Sequence, residues 1–362
     1  MRIFFLFFLT FSIPAIAQSV KPFPPPEAIL ADDKHHEPKS GVQIGPGNTI
    51  TIQSGVGTPS TINVLAFSRD GKWLAAGKDF GRVVIWDVTK QKFARAFETR
   101  QGIIKAVALS KDGAILATAG DKDDYSLKLW NVQNGKLLKT FKASTDFIHS
   151  VSFGPDGRWL MVSDNTARTY VLEIASGKQL LDLKDMWGPV LSPDGRTFMV
   201  VGKKIFVSWN TADWTQTATV PQGENYPVAM GLLPEADTFV AGLFDGSFHL
   251  YKLSTGEVLP TAPLSPLPKF NLAAGGFASF GPGNTIFGHS DGQLWLWDTH
   301  TGQTCVSAVM YSESGALSSD GTLLAGAKAN SILAQTRSGE GVWLWDTAKL
   351  RAACGLTRQA AR

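Results

Sequence analysis

The sequence predicts an all-β fold, a closed seven-bladed β-propeller of four-stranded antiparallel blades. Three observations predict it. A phrase of apolar, small, any residue, then Asp-Gly recurs seven times along the 362 residues. Each copy leads through short β-rich runs to Trp or a stand-in. The run that closes each copy is nearly continuous in apolar character, which means a strand covered on both faces. Repetition at a steady period sets architecture before any single residue does.

Phe67–Gly71, Leu109–Gly113, Phe153–Gly157 and Leu191–Gly195 carry the phrase intact. Leu232–Ala236, Phe280–Asn284 and Leu317–Gly321 carry it in weaker form. The closing positions are Trp86, Trp130, Leu172, Trp209, Tyr251, Trp297 and Trp345, spaced 37 to 48 residues apart. That spacing brackets the ~40–45 residues of a four-stranded blade. Copy one shows the elements in order: Val64–Phe67, the Asp70-Gly71 turn, Trp73–Ala76, the Asp79–Gly81 turn, Val83–Trp86, then Phe93–Phe97. Short apolar runs bounded by Asp/Gly turns are strands, because Gly supplies the positive φ that tight turns need. The 36 glycines suit such a chain, and no segment shows a helical stripe.

Val83–Trp86, Leu294–Trp297 and Val342–Trp345 are the continuous runs. Radially stacked blades cover both faces of every inner sheet, which a one-sided meander does not. Trp295 and Trp343 lie two residues before Trp297 and Trp345, hence on the same face. They are expected as core aromatics wedged between blades. Thr49–Ile52 alternates as a strand should, so residues near 49–54 are expected to supply the outer strand of the last blade. Joining both chain ends in one sheet removes open edges. The alternative is that Ala348–Cys354 fills that place.

The phrase Phe-Ser-x-Asp-Gly, followed by Leu-Ala-x-Gly and Val-x-Ile-Trp-Asp, resembles the WD40 repeat family over about residues 60–350. Trp86-Asp87, Trp297-Asp298 and Trp345-Asp346 carry the family's dipeptide, Trp130-Asn131 and Trp209-Asn210 come close, and Leu172-Glu173 and Tyr251-Lys252 are degenerate. The resemblance implies a closed propeller, usually of seven blades, serving as a rigid platform for other proteins. The family's Gly-His dipeptide before the first strand is missing here. Its absence implies loss of a buried hydrogen-bond network and a divergent, bacterial-type relative.

Residues 1–17 read as an export signal: Arg2, an apolar stretch Ile3–Ile13, and a small-residue cleavage site with scission after Ala17. The apolar run is shorter than the ~20 residues of a membrane span, so a periplasmic or secreted product without membrane insertion is expected. Residues 18–47 are Pro-rich and polar, with the composition of a flexible tether. The His35-His36-Glu37 cluster inside it lacks further ligands. The propeller is expected over 48–356 and a short tail over 357–362. Cys305 and Cys354 are the only cysteines, and an oxidising compartment permits them one disulfide. On outer strands of neighbouring blades their α-carbons would exceed the ~7 Å reach of that bond, whereas a displaced C-terminal tail would bring Cys354 across.

The chain is 44% hydrophobic and 18% charged, with a formal charge of +3. That balance argues against a nucleic-acid partner, which calls for Lys and Arg concentrated on one face. No Gly-x-Ser-x-Gly, His-Glu-x-x-His, phosphate-loop or haem-attachment pattern occurs. His149 and His249 fall in strands and His289 and His300 near turns, at unlike repeat positions. No catalytic residue, cofactor or metal ligand is therefore assigned, and the repeated Asp side chains are expected to form turns. Function is expected where copies depart from the repeat: an excess near Ala329–Glu340, a Pro-rich excursion over Pro260–Gly275, and the stretch Trp214–Pro227 read as joining blades four and five. Trp214, Tyr226, Phe270 and Arg337 are the candidate partner-binding residues, since large side chains dominate interface energetics. The expectation is an exported, monomeric, non-enzymatic scaffold binding another protein or an envelope component. The alternative is an enzyme or small-molecule binder using the central channel.

Overall fold

The computed structural model describes residues 21–22, 28–31, 42–44, 50–52, 62–121, 125–142, 144–223, 227–233, 237–243, 247–260, 278–281, 285–290, 293–299, 301–306, 314–327 and 341–356. Their strands form seven antiparallel blades in a ring, the first five running in sequence order from axis to periphery. The innermost strands are Ile62–Phe67, Ile104–Leu109, Ile148–Phe153, Trp187–Leu191, Pro227–Leu232, Ala278–Gly281 and Gly315–Leu317. The last of them touches the first, so the ring is closed.

Each seam between blades holds its own apolar cluster, and the third strands feed two seams at once. In Arg82–Asp87, Val84 and Trp86 pack toward blade seven with Val342 and Leu344. Val83 and Ile85 face blade two with Leu116 and Trp130. Period-two alternation thus serves two apolar faces, which is why the run has no polar member. Trp295 and Trp297 share one face, both within 5.5 Å of the Phe248 ring in the seam between blades five and six. Trp343 and Trp345 meet edge to face at 5.9 Å in the next seam. The tryptophans are core wedges.

The Asp-Gly phrase is a self-sufficient turn. In copy one the Ser68 hydroxyl donates to Asp70 at 2.6 Å, Asp70 accepts the Lys72 N–H, and the Trp73 N–H donates back to Ser68. Copies two, four and seven repeat the set on Ser110 and Asp112, Ser192 and Asp194, and Ser318 and Asp320. Gly71 closes its turn at φ +71°, a left-handed conformation open to glycine.

Ring closure differs from the expectation. Ala28–Ala31 supplies the outer strand of blade seven, pairing antiparallel with Gly341–Leu344. Lys21–Pro22 adds a parallel fifth strand to blade six, beside Cys305 and Val306. Residues 50–52 pair instead with 42–44 in a separate two-stranded sheet. Residues 28–31 are Ala-Ile-Leu-Ala, an apolar edge inside a segment whose average composition is polar, and composition averaged over 30 residues hid it.

The C-terminal alternative also fails as a strand, because Thr347–Ala353 is an α-helix. Its Leu350 is buried with Phe287, Leu324 and Trp345, and Cys354 just beyond it is disulfide-bonded to Cys305, with α-carbons 5.8 Å apart. Of the two arrangements the cysteine spacing left open, the structure has the displaced tail.

A buried polar network survives in blade two without the Gly-His dipeptide. The Trp130 indole N–H donates to the Thr118 hydroxyl at 2.8 Å. Thr118 donates to the Gln101 side-chain carbonyl at 2.5 Å, and the Gln101 amide donates to the Ser126 carbonyl at 2.8 Å. Gln101, just before the inner strand of blade two, supplies the hydrogen-bonding groups.

Candidate functional site

Antiparallel blades sort their turns onto two faces. Asp-Gly turns and the turns between third and fourth strands share one face. Turns between second and third strands share the other with the blade-to-blade crossings. The second is the crossover face.

On the crossover face of blade one, the turn Asp79–Gly81 presents Phe80, 70% exposed. Its backbone is left-handed at φ 60°, ψ 19°. A bulky residue there is strained by ~1–3 kcal/mol and persists only where the surroundings over-determine it. The surroundings are visible. Asn63 donates to the Asp79 carboxylate at 2.9 Å, and Thr99 reaches the Gly81 carbonyl through both its N–H and its hydroxyl. A β-carbon on Gly81 would sit 2.9 Å from the Arg100 nitrogen, so the turn and the crossing into blade two lie in contact. Arg100 is exposed and also left-handed, at φ +60°. The result is an exposed aromatic and an exposed arginine on neighbouring left-handed backbone of the crossover face. Tyr125, Ala167 and Lys204 take left-handed backbone in the corresponding turns of blades two to four. Phe80 is the large aromatic among them that is left in water.

The candidates named from sequence are placed differently. Trp214 does not lie on the connection between blades four and five: Gln216–Pro221 is the outer strand of blade four, so Trp214 sits in the turn before it, on the Asp-Gly face. It is half-buried, edge to face with Trp159 at 5.1 Å and against Phe198 at 6.2 Å. It seals the seam between blades three and four. Tyr226, Phe270, Arg337 and the cleavage position Ala17 lie outside the described residues, as do the insertions at 261–275 and 329–340. His149 bonds to the Asp164 carbonyl in blade three, and His249 lies on the third strand of blade five. Among the described residues, no three His, Cys, Asp or Glu side chains gather as a metal site, and no helix is long and apolar enough to cross a membrane.

Sequence reasoning missed Phe80. The signal was there: Asp79-Phe80-Gly81 puts an aromatic at the centre of a tight turn, where small or polar residues are the rule.

No curated protein matches the chain. The family model described as WD domain, G-beta repeat matches residues 50–87, 91–131 and 135–170, ending near the closing Trp or its stand-in in copies one to three. The chain is a seven-bladed β-propeller whose first three repeats carry the WD-domain pattern.

Proposed function

We propose that this propeller is an exported scaffold, without chemistry of its own, that holds a partner protein of the cell envelope on its crossover face. The observation that carries the reading is Phe80, an exposed aromatic on a strained turn, with exposed Arg100 on the left-handed backbone beside it. Aromatic and Arg side chains are the commonest interface anchors, and a preordered anchor loses little entropy on binding. WD40 propellers commonly act as protein-interaction platforms, and the matched repeats lie in the blades that present this pair. Export is supported by the leader-like residues 1–17 and by the Cys305–Cys354 disulfide, a bond typical of oxidising compartments.

Site-specific photo-crosslinking in cells tests the assignment. A crosslinker at position 80 or 100 is expected to trap one discrete partner. The same group at Val258, an exposed residue on the outer strand of blade five, is expected to trap none. Identical adducts from positions 80 and 258, or none from 80, would reject the crossover face. N-terminal sequencing of the purified protein tests export separately, with Gln18 expected first.

A further inference from the structure

The axis of the ring holds a cavity of ≈ 300 Å³ at the end facing the Asp-Gly turns. Its walls are the ends of the inner strands, with Val107, Val151, Val190 and Met230 among the apolar lining. Two cations stand at its mouth. Arg69 and Lys111 occupy the free position of the Asp-Gly phrase in copies one and two, where copies three and four have Pro155 and Pro193.

Arg69 spans the axis: its guanidinium donates to the Pro193 carbonyl of blade four, and its own carbonyl accepts the Ser319 hydroxyl of blade seven at 2.5 Å. The mouth is narrow, since a β-carbon on Gly195 would come within 3.1 Å of Arg69 and 2.7 Å of Pro155.

The acids around the mouth are already engaged. Asp70, Asp156 and Asp194 pair with Lys72, Arg158 and Arg196 of their own turns. Asp112 and Asp320 take the Ser110 and Ser318 hydroxyls. Arg69 and Lys111 have no carboxylate within ion-pair distance among the described residues. A guanidinium carries five donors in a fork that matches a carboxylate, and the Pro193 carbonyl uses one. Burial pulls the Arg69 pKa down, with Asp194 across the mouth opposing it.

We propose that this end of the channel binds a small organic carboxylate with an apolar body, its carboxylate on Arg69 with Lys111 alongside and its body against the inner-strand walls. Phosphate and sulfate have no apolar body to set against Val107, Val151, Val190 and Met230, so they bind the same cations more weakly. The ligand is either a free acid or the C-terminal residue of a polypeptide. The site lies on the face opposite Phe80 and stands whether or not the crossover face binds a protein.

Calorimetric titration of the full chain tests it, with N-acetyl-leucine, N-acetyl-leucinamide, N-acetyl-Ala-Ala-Leu and inorganic phosphate as probes. Saturable binding of the acids is expected, with the amide weaker by roughly tenfold or more, as loss of a charge-assisted bidentate contact implies. Tighter binding of the tripeptide marks a polypeptide terminus, and equal binding marks a free acid. Arg69→Gln is expected to abolish the acid preference and exposed Lys111→Gln to reduce it. Equal affinity for acid and amide, phosphate binding as well as the acid, or an undiminished preference in Arg69→Gln overturns the site. If Arg69→Gln fails to fold, the acid-to-amide ratio of wild type and Lys111→Gln decides: a ratio near one, or one unchanged by Lys111→Gln, overturns it.

Discussion

Asp346 accepts the Lys349 backbone N–H at 3.0 Å, and in doing so caps a helix where the other repeats begin a turn. The same bond from the equivalent position holds Asp87 to Lys90, Asn131 to Asn134 and Asp298 to Thr301. What differs is the next residue. Gln91, Gly135, Gly177, Trp214, Gly256 and Gly302 are left-handed four positions after the closing dipeptide's second residue, sending the chain back into a fourth strand. In copy seven that position is Leu350, buried inside Thr347–Ala353, and Gly is delayed to Gly355 at φ +77°. Among the described residues, blade seven therefore has no C-terminal fourth strand of its own. Asp346→Ala is expected to cost ~1 kcal/mol in urea unfolding and Asp346→Asn much less, because only Ala loses the capping oxygen.

The vacant place in blade seven is filled by Ala28–Ala31, and the nearby disulfide pins the helix that displaced the strand. Deleting 28–31 is expected to lower the melting temperature and broaden the transition, because it exposes the edge of Gly341–Asp346. Deleting 48–55 leaves every blade sheet complete and is expected to do markedly less. Equal effects would place the closing strand elsewhere. The cysteines close a loop of 49 residues containing blade seven, so Cys354→Ala is expected to cost ~2–4 kcal/mol. The same loss should appear in wild type melted with a dithiol reductant.

Thr118 links Trp130 to Gln101, and all three are buried. Gln101→Leu removes the acceptor of a buried hydroxyl and one hydrogen bond to the Ser126 carbonyl. A loss of ~1–3 kcal/mol is expected, the desolvation cost of unsatisfied buried groups. Thr118→Val adds little on top of Gln101→Leu, since the two act in one network. A double-mutant cycle in urea measures the coupling, and strict additivity would deny the network.

The blade count was legible because strand periodicity and turn chemistry are local, and the Asp-Gly phrases of copies one, two, four and seven close on their own Ser and backbone groups. The closing strand was not, because pairing between residue 28 and residue 344 leaves no local mark beyond four apolar residues. The helix was nearly legible: Ala348 to Ala353 are strong helix formers, and the glycine that copies two, three, five and six carry is missing at Leu350. Trp214 misled because an aromatic near a repeat boundary reads as exposed, whereas its left-handed turn folds the ring back onto Trp159. Phe80 follows the same backbone logic with the opposite outcome, and only the packing around each turn separates them.

The Asp87 carboxyl is held down to about 2, first by the Lys90 ammonium at 2.8 Å, then by the Thr89 hydroxyl, with the Lys90 N–H adding to them. Its folded pKa lies below the unfolded value of about 3.9. The ionised form is therefore favoured in the folded state, and the stabilisation is fully present above the unfolded value. It is lost as pH falls through 3.9 toward 2. Asp87→Asn is expected to melt below wild type at pH 7, and the gap is expected to close as the pH approaches 2. Paired thermal melts from pH 7 to pH 2 read this directly. A gap that stayed constant over that range would mean that Asp87 acts through its shape and hydrogen bonds and not through its charge.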